Sequence, residues 1–111
     1  MIFITGPLYA GKRGYIKAAL GLDDGELARR AVWDVQDRAE PETVEALAAE
    51  LSGREIVIAT EVGGGVVPVD PSLREKREAA GRLACLLAAR ADTVVRVCCG
   101  IPQLLKGEWP C

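Results

Sequence analysis

Histidine is absent from this 111-residue chain. Without it, a zinc site built on thiols needs four thiolates. The chain has four cysteines, Cys85, Cys98, Cys99 and Cys111. Two of them are adjacent, and small apolar side chains in a strand and a helix suit that arrangement better than a metal cage does. Basic charge is also lacking: the formal net charge is -2, so neither nucleic acid nor an anionic membrane is an expected partner. No run approaches the roughly 18 consecutive apolar residues of a membrane-spanning helix. The opening apolar residues, 1–4, are too few for a signal-peptide core and have no basic flank. The expectation is a cytoplasmic protein with reduced thiols.

What is present is ordinary globular composition, 50% hydrophobic and 27% charged, which can bury a core and is far from the pattern of disorder. The length suits one domain spanning 1–111. Residues 1–5 are a short apolar, β-branched run closed by Gly6-Pro7, a strand leaving the core into a turn. Residues 12–20 have helical spacing, with Gly21 as a stop. Residues 23–30 are ambiguous, and 31–35 read as a short strand ending near Asp34. Glu40-Pro41 opens a helix carrying Val44, Leu47, Ala48 and Leu51, closed by Gly53. Residues 56–59 form a compact apolar strand, and 61–71 are a loop rich in glycine and proline. A long helix over 72–90 starts with Ser72 and Glu75 at the spacing of a capping box. Residues 93–99 make the last strand, broken by Gly100-Ile101-Pro102, and 103–111 have weak helical character. Strands alternating with helices predict an α/β fold, P-loop NTPase-like, with a small, mainly parallel sheet of four strands flanked by helices. So short a chain leaves apolar surface hard to cover, which makes a homo-oligomer an expectation.

The chemistry is concentrated in Gly6-Pro7-Leu8-Tyr9-Ala10-Gly11-Lys12. This is the spacing of a Walker A loop, in which backbone N–H groups wrap a phosphate chain and the lysine reaches its outer phosphates. Its glycines let successive N–H dipoles point inward, and the helix that follows adds the positive end of its dipole. The expected ligand is GTP or ATP, with Lys12 as the catalytic cation. One residue departs from the pattern. Arg13 stands where a serine or threonine hydroxyl coordinates Mg²⁺, and arginine cannot ligate a cation. Either other oxygens and water hold the metal, or Arg13 itself neutralises phosphate charge, or the site binds nucleotide poorly. Ligands of open α/β sheets lie at the carboxyl ends of strands, which makes Glu61 the first candidate for a metal ligand and Asp34 the second. Gly63 and Gly65 are candidates for close backbone approach to substrate.

The loop, together with Glu61-Val62-Gly63-Gly64-Gly65-Val66-Val67-Pro68, resembles the adenosylcobinamide kinase/adenosylcobinamide-phosphate guanylyltransferase family of cobalamin biosynthesis. That family carries a Glu-Val-Gly-x-Gly-Ile-Val-Pro signature. Arg74, Arg77, Gly81, Leu87-Ala88, Ala91-Asp92, Val94, Gly100-Ile101-Pro102 and Lys106 fall at the spacing of its long helix and last strand, so the likeness covers 1–12 and 61–106. It implies phosphorylation of the aminopropanol hydroxyl of adenosylcobinamide. The family's chains are longer, and the contraction falls between the loop's helix and Glu61. Trp33-Asp34-Val35-Gln36-Asp37 with Pro41 is similar to a remnant of the family's tryptophan-containing segment. The family transfers guanylate through a histidine, so the resemblance implies the kinase step without that transfer. The alternative of a different class is a catalytically degenerate relative that binds nucleotide and acts through regulation or interaction.

Overall fold

Along each strand, alternate side chains turn to opposite faces, and in this chain both faces are apolar, so one sheet must be covered on two sides. The structure is a computed structural model that describes residues 1–62 and 69–110. The candidates Gly63 and Gly65 lie outside the described residues. The strands are β1 (Ile2–Gly6), β2 (Ala31–Val32), β3 (Ile56–Thr60), β4 (Thr93–Cys98) and β5 (Ile101–Lys106). They form one sheet in the order β2-β3-β1-β4-β5. β2, β3, β1 and β4 run parallel, and β5 returns antiparallel to β4. The helices are α1 (Lys12–Leu20), α2 (Asp24–Arg30), α3 (Val44–Leu51) and α4 (Pro71–Arg90), with a 3-10 turn at Val35–Arg38.

Phe3, Val57, Ala59 and Val94 pack against Val35, Leu47, Leu51, Leu83 and Leu87 of the 3-10 turn, α3 and α4. Ile4, Ile56, Ile58, Val95 and Val97 pack on the other face against Ile16 of α1 and Leu27 of α2. This is the expected α/β architecture with helices on both faces. No helix among the described residues is long and apolar enough to cross a membrane.

Local chemistry corrects several boundaries. The ambiguous stretch 23–30 is α2, whose Asp23 and Glu26 form a reciprocal capping box. The strand expected over 31–35 is only Ala31–Val32, because Asp34 adopts a left-handed conformation and starts the 3-10 turn. Pro41 belongs to a turn in which the Thr43 N–H bonds to the Glu40 carbonyl at 3.2 Å, so the helix begins at Val44. The cap of α4 is Asp70, which accepts from the Ser72 N–H at 2.9 Å with Pro71 in the first turn. Proline has no N–H to satisfy and a preset φ, so it favours the earlier start over the Ser72 box.

The tail is the largest correction. Residues 101–106, expected to be weakly helical, form a fifth strand. Cys99 and Gly100 both have positive φ, 54° and 73°, the geometry of a tight two-residue hairpin turn. Pro102 is tolerated because β5 is an edge strand. The unbroken register from the turn sets Leu104 opposite Val95 in the core beside α1, and a register shift follows between Val95 and Val94. Lys106, opposite Val94 beyond that shift, donates from Nζ to the carbonyls of Ala88 and Ala89 at 3.1 and 3.0 Å. A cation at those last-turn carbonyls complements the helix dipole.

Two glycines separate steric need from mere tolerance. Gly6 has a φ of 151°, and a Cβ there would lie 2.1 Å from the Val97 carbonyl oxygen. Gly81, inside α4, has nothing within 4 Å of that position. Gly6→Ala is therefore expected to cost roughly 2 kcal/mol or more, and Gly81→Ala to add about 0.5–1 kcal/mol through helix propensity. Urea unfolding of the two variants checks both signs.

Candidate functional site

β1 runs through the centre of the sheet, and the chain leaves it at Gly6 to form the glycine loop. Tyr9 takes a left-handed φ of 58° and is 94% exposed. Gly11 takes a φ of 90° and caps the start of α1. Lys12 and Arg13 thus stand on the first turn of that helix. The loop is supported from a direction that the sequence did not suggest: the Gly100 N–H, at the β4–β5 hairpin turn, donates to the Ala10 carbonyl at 2.8 Å. A Cβ on Gly11 would come within 3.5 Å of the Gly100 Cα. The glycine at position 100 was the one local sign of a turn there.

Lys12 is the one charged residue in the core among the described residues, 8% exposed. Its Nζ donates to the Pro7 carbonyl at 2.6 Å, folding the side chain back over the loop. Burial pulls its pKa below the ordinary lysine value, while Asp34 and Glu61 pull the other way and Arg13 adds to the lowering. Arg13 lies over the Trp33 ring, 5.3 Å from its centroid, within cation–π range. A cleft of about 940 Å³ opens beside the loop, lined by residues 8–14 and by Lys17, Asp24, Leu27, Trp33, Asp34, Ile58 and Thr60. Leu8, Tyr9, Ala10, Gly11, Lys12 and Arg13 therefore line one cavity together with Trp33 and Asp34.

The end of β3 is fastened on two sides. The Thr60 N–H donates to the Gln36 side chain at 2.9 Å, and the Glu61 N–H donates to the Gly6 carbonyl at 2.8 Å. Glu61 stands, as expected, at the carboxyl end of its strand. Both of its carboxylate oxygens accept from Arg96 of β4, from Nε and Nη2, each at 2.8 Å. Arg96 pairs in register with Thr5, so the ion pair crosses over β1. The arginine, chiefly through this hydrogen-bonded pairing, holds the Glu61 carboxyl below its ordinary value and raises its own pKa.

Divalent-cation ligands are sparse among these residues. Arg13 offers no lone pair, Glu61 is committed to Arg96, and Asp34 is left as a single carboxylate near Lys12. Among the described residues no three His, Cys, Asp or Glu side chains cluster to hold a metal. Cys85, Cys98 and Cys99 are free thiols.

The parallel sheet with a glycine loop between its central strand and first helix defines an α/β protein of the P-loop NTPase-like class. A sequence model of the cobinamide kinase / cobinamide phosphate guanyltransferase family matches residues 24–105, and the chain belongs to that family. The match includes the middle of the chain, α2 to α3, which the likeness over 1–12 and 61–106 did not reach, and begins after the glycine loop. The bifunctional adenosylcobalamin biosynthesis protein CobP of Pseudomonas aeruginosa is 41% identical over 59 residues, which are 53% of this chain and 34% of that relative. The chain thus spans about a third of the length of the curated relative it matches.

The ion pair has a pH signature. The Glu61 carboxyl is held below its ordinary value of 4.5, so the pair's stabilisation is complete above pH 4.5 and is lost as pH falls through the lowered value. Arg96→Gln should therefore be less stable than wild type at neutral pH, with the gap closing in strong acid. Urea midpoints of both proteins across the acid range read this directly, and a gap that persists under full protonation would contradict it.

Proposed function

We propose that residues 1–111 act as one nucleotide-binding domain, in which Gly6, Pro7, Leu8, Tyr9, Ala10 and Gly11 wrap the phosphates of GTP or ATP and Lys12 and Arg13 supply positive charge. The observation that carries this reading is the buried Lys12 ammonium at the junction of glycine loop and helix, beside a cleft of nucleotide size. Its contact with the Pro7 carbonyl is one that a phosphate oxygen can replace, with a gain from charge assistance. Family membership supports cobinamide as the acceptor. In the transfer, the acceptor hydroxyl oxygen would form a bond to the terminal phosphorus, the bridging P–O bond would break toward the nucleoside diphosphate, and the hydroxyl proton would pass to solvent. Such a reaction depends mainly on positioning and charge stabilisation. A guanylyl–histidine intermediate has no residue to form on within this chain. Gly63 and Gly65 enter the proposal on the sequence alone, as points of close substrate approach.

A second reading, nucleotide binding without transfer, is favoured by the Arg96 grip on Glu61. It fits a catalytically degenerate relative with a regulatory or interaction role.

Purified protein incubated with labelled GTP or ATP and cobinamide, with and without Mg²⁺, separates the two. The kinase reading expects phosphorylated cobinamide from wild type, and a loss of at least about a hundredfold in Lys12→Ala, a size usual for removing a charge that stabilises a transition state. Bound nucleotide without product would select the degenerate relative. Failure of both nucleotides to bind would end the reading altogether.

A further inference from the structure

Resting on the nucleotide-binding reading above, we propose that this chain holds a nucleoside triphosphate without a divalent cation, with the Arg13 guanidinium taking the place of the metal. The first support is chemical. Magnesium takes hard oxygen ligands, commonly one or two carboxylates together with phosphate oxygens and water. The position after Lys12 offers a guanidinium instead of a hydroxyl. The second support is geometric. Both Glu61 oxygens are filled by the Arg96 fork at 2.8 Å, and a cation at Glu61 would have to break that bidentate pair while sitting against a positive charge. The position after Lys12 thus carries an arginine, and the carboxylate at the end of the neighbouring strand is held by another.

The third support is what Arg13 does. Its guanidinium rests over Trp33, 5.3 Å from the ring centroid, and lines the cleft with Lys12. Stacking limits the side-chain freedom that phosphate binding would otherwise have to remove. The planar fork can also donate two parallel hydrogen bonds to one phosphate, which a lysine cannot do. Three cations, Lys12, Arg13 and Lys17, and two carboxylates, Asp24 and Asp34, line the cleft. Lys17 is paired with Asp24 at 2.6 Å, and Asp34 acts electrostatically on Lys12. Arg13 forms no salt bridge with either carboxylate among the described residues and acts on Asp24 through its charge, which leaves its guanidinium placed over Trp33 to meet a metal-free phosphate. Asp34 is the residue through which the opposite outcome would arise, since it could hold a metal together with phosphate oxygens.

The test is equilibrium binding of fluorescent, nonhydrolysable GTP and ATP analogues to the purified chain, in excess Mg²⁺ and in excess EDTA. The expected result is an affinity in EDTA within about threefold of that in Mg²⁺, and a loss of about tenfold or more in EDTA for Arg13→Thr, the size of one charge-assisted hydrogen bond. Addition of Mg²⁺ should restore part of that loss, because the new hydroxyl can ligate. A fall of about tenfold or more for wild type in EDTA would overturn metal-free binding while leaving the nucleotide site intact. An Arg13→Thr protein that binds as wild type does in EDTA would overturn the role given to Arg13. Absence of binding in both conditions would overturn this proposal together with the nucleotide reading. The wild-type comparison needs no variant to fold, and circular dichroism of Arg13→Thr separates a lost contact from a lost fold.

Discussion

The close approach of β4 to Gly6 is the constraint on which the carboxyl end of the sheet depends. Parallel pairing puts β3 on one side of β1 and β4 on the other. At Gly6 the separation leaves no room for a side chain, since a Cβ would meet the Val97 carbonyl oxygen at 2.1 Å. That contact fixes where the loop departs. It also delivers the hairpin turn after β4 to the loop, so that Gly100 can bond to Ala10, and it puts Arg96 within reach of Glu61 across the central strand. A bulkier residue at position 6 would push apart strands that carry three separate parts of the site.

From this packing follows an unusual electrostatic arrangement. A strand-end carboxylate is ordinarily the hard, negative partner at such a site, yet here Glu61 is neutralised by a neighbouring strand. With Arg13 on α1, the effect is to raise the positive character around the loop. Lys12 feels both signs: burial disfavours its charge, Asp34 and Glu61 favour it. Because Arg96 already compensates Glu61, the Lys12 ammonium is left with less opposing negative charge than the bare sequence would suggest. A buried ammonium in that state gains more from an arriving phosphate than a solvated one would.

Much of this could be read from the chain before its structure. The run of residues 1–5 into Gly6-Pro7, and the helical spacing after Lys12, are short-range signals that act within a few residues of one another. They located β1, the loop and α1. The apolar stripes of α3 and α4 were equally legible, since each helix buries a periodic face. What escaped depends on partners distant in sequence. Residues 101–106 carry no strong strand pattern, and become a strand because β4 offers an open edge, Leu104 finds the core and Lys106 finds the end of α4. Arg96 has the appearance of a solvated charge in an apolar strand. Only the order β3-β1-β4 makes it the partner of Glu61, and no spacing in the sequence encodes that order. The expected Ser72 box gives way for a local reason: Asp70-Pro71 is the stronger start, and the proline decides it.

The segment after β2 joins these parts into one site. Trp33 gives its ring to Arg13, Asp34 turns the chain through a left-handed conformation toward the cleft, and Gln36 accepts the Thr60 N–H. Three residues within four positions thus touch α1, the cavity and the end of β3. On the far side, Gly100 and Arg96 tie the loop and Glu61 to β4. The loop is consequently held by backbone and side-chain contacts from both flanks of β1. The loop's position is set by the sheet's own geometry, so under the proposed function nucleotide binding and phosphoryl transfer are separable properties. The first needs the loop, Lys12 and Arg13 in place, whereas the second also needs an acceptor aligned at the terminal phosphorus and stabilisation of the charge that develops there. On the same reading, Arg13 and the Arg96–Glu61 pair bear on that second requirement, and leave the first served by charge already in the chain.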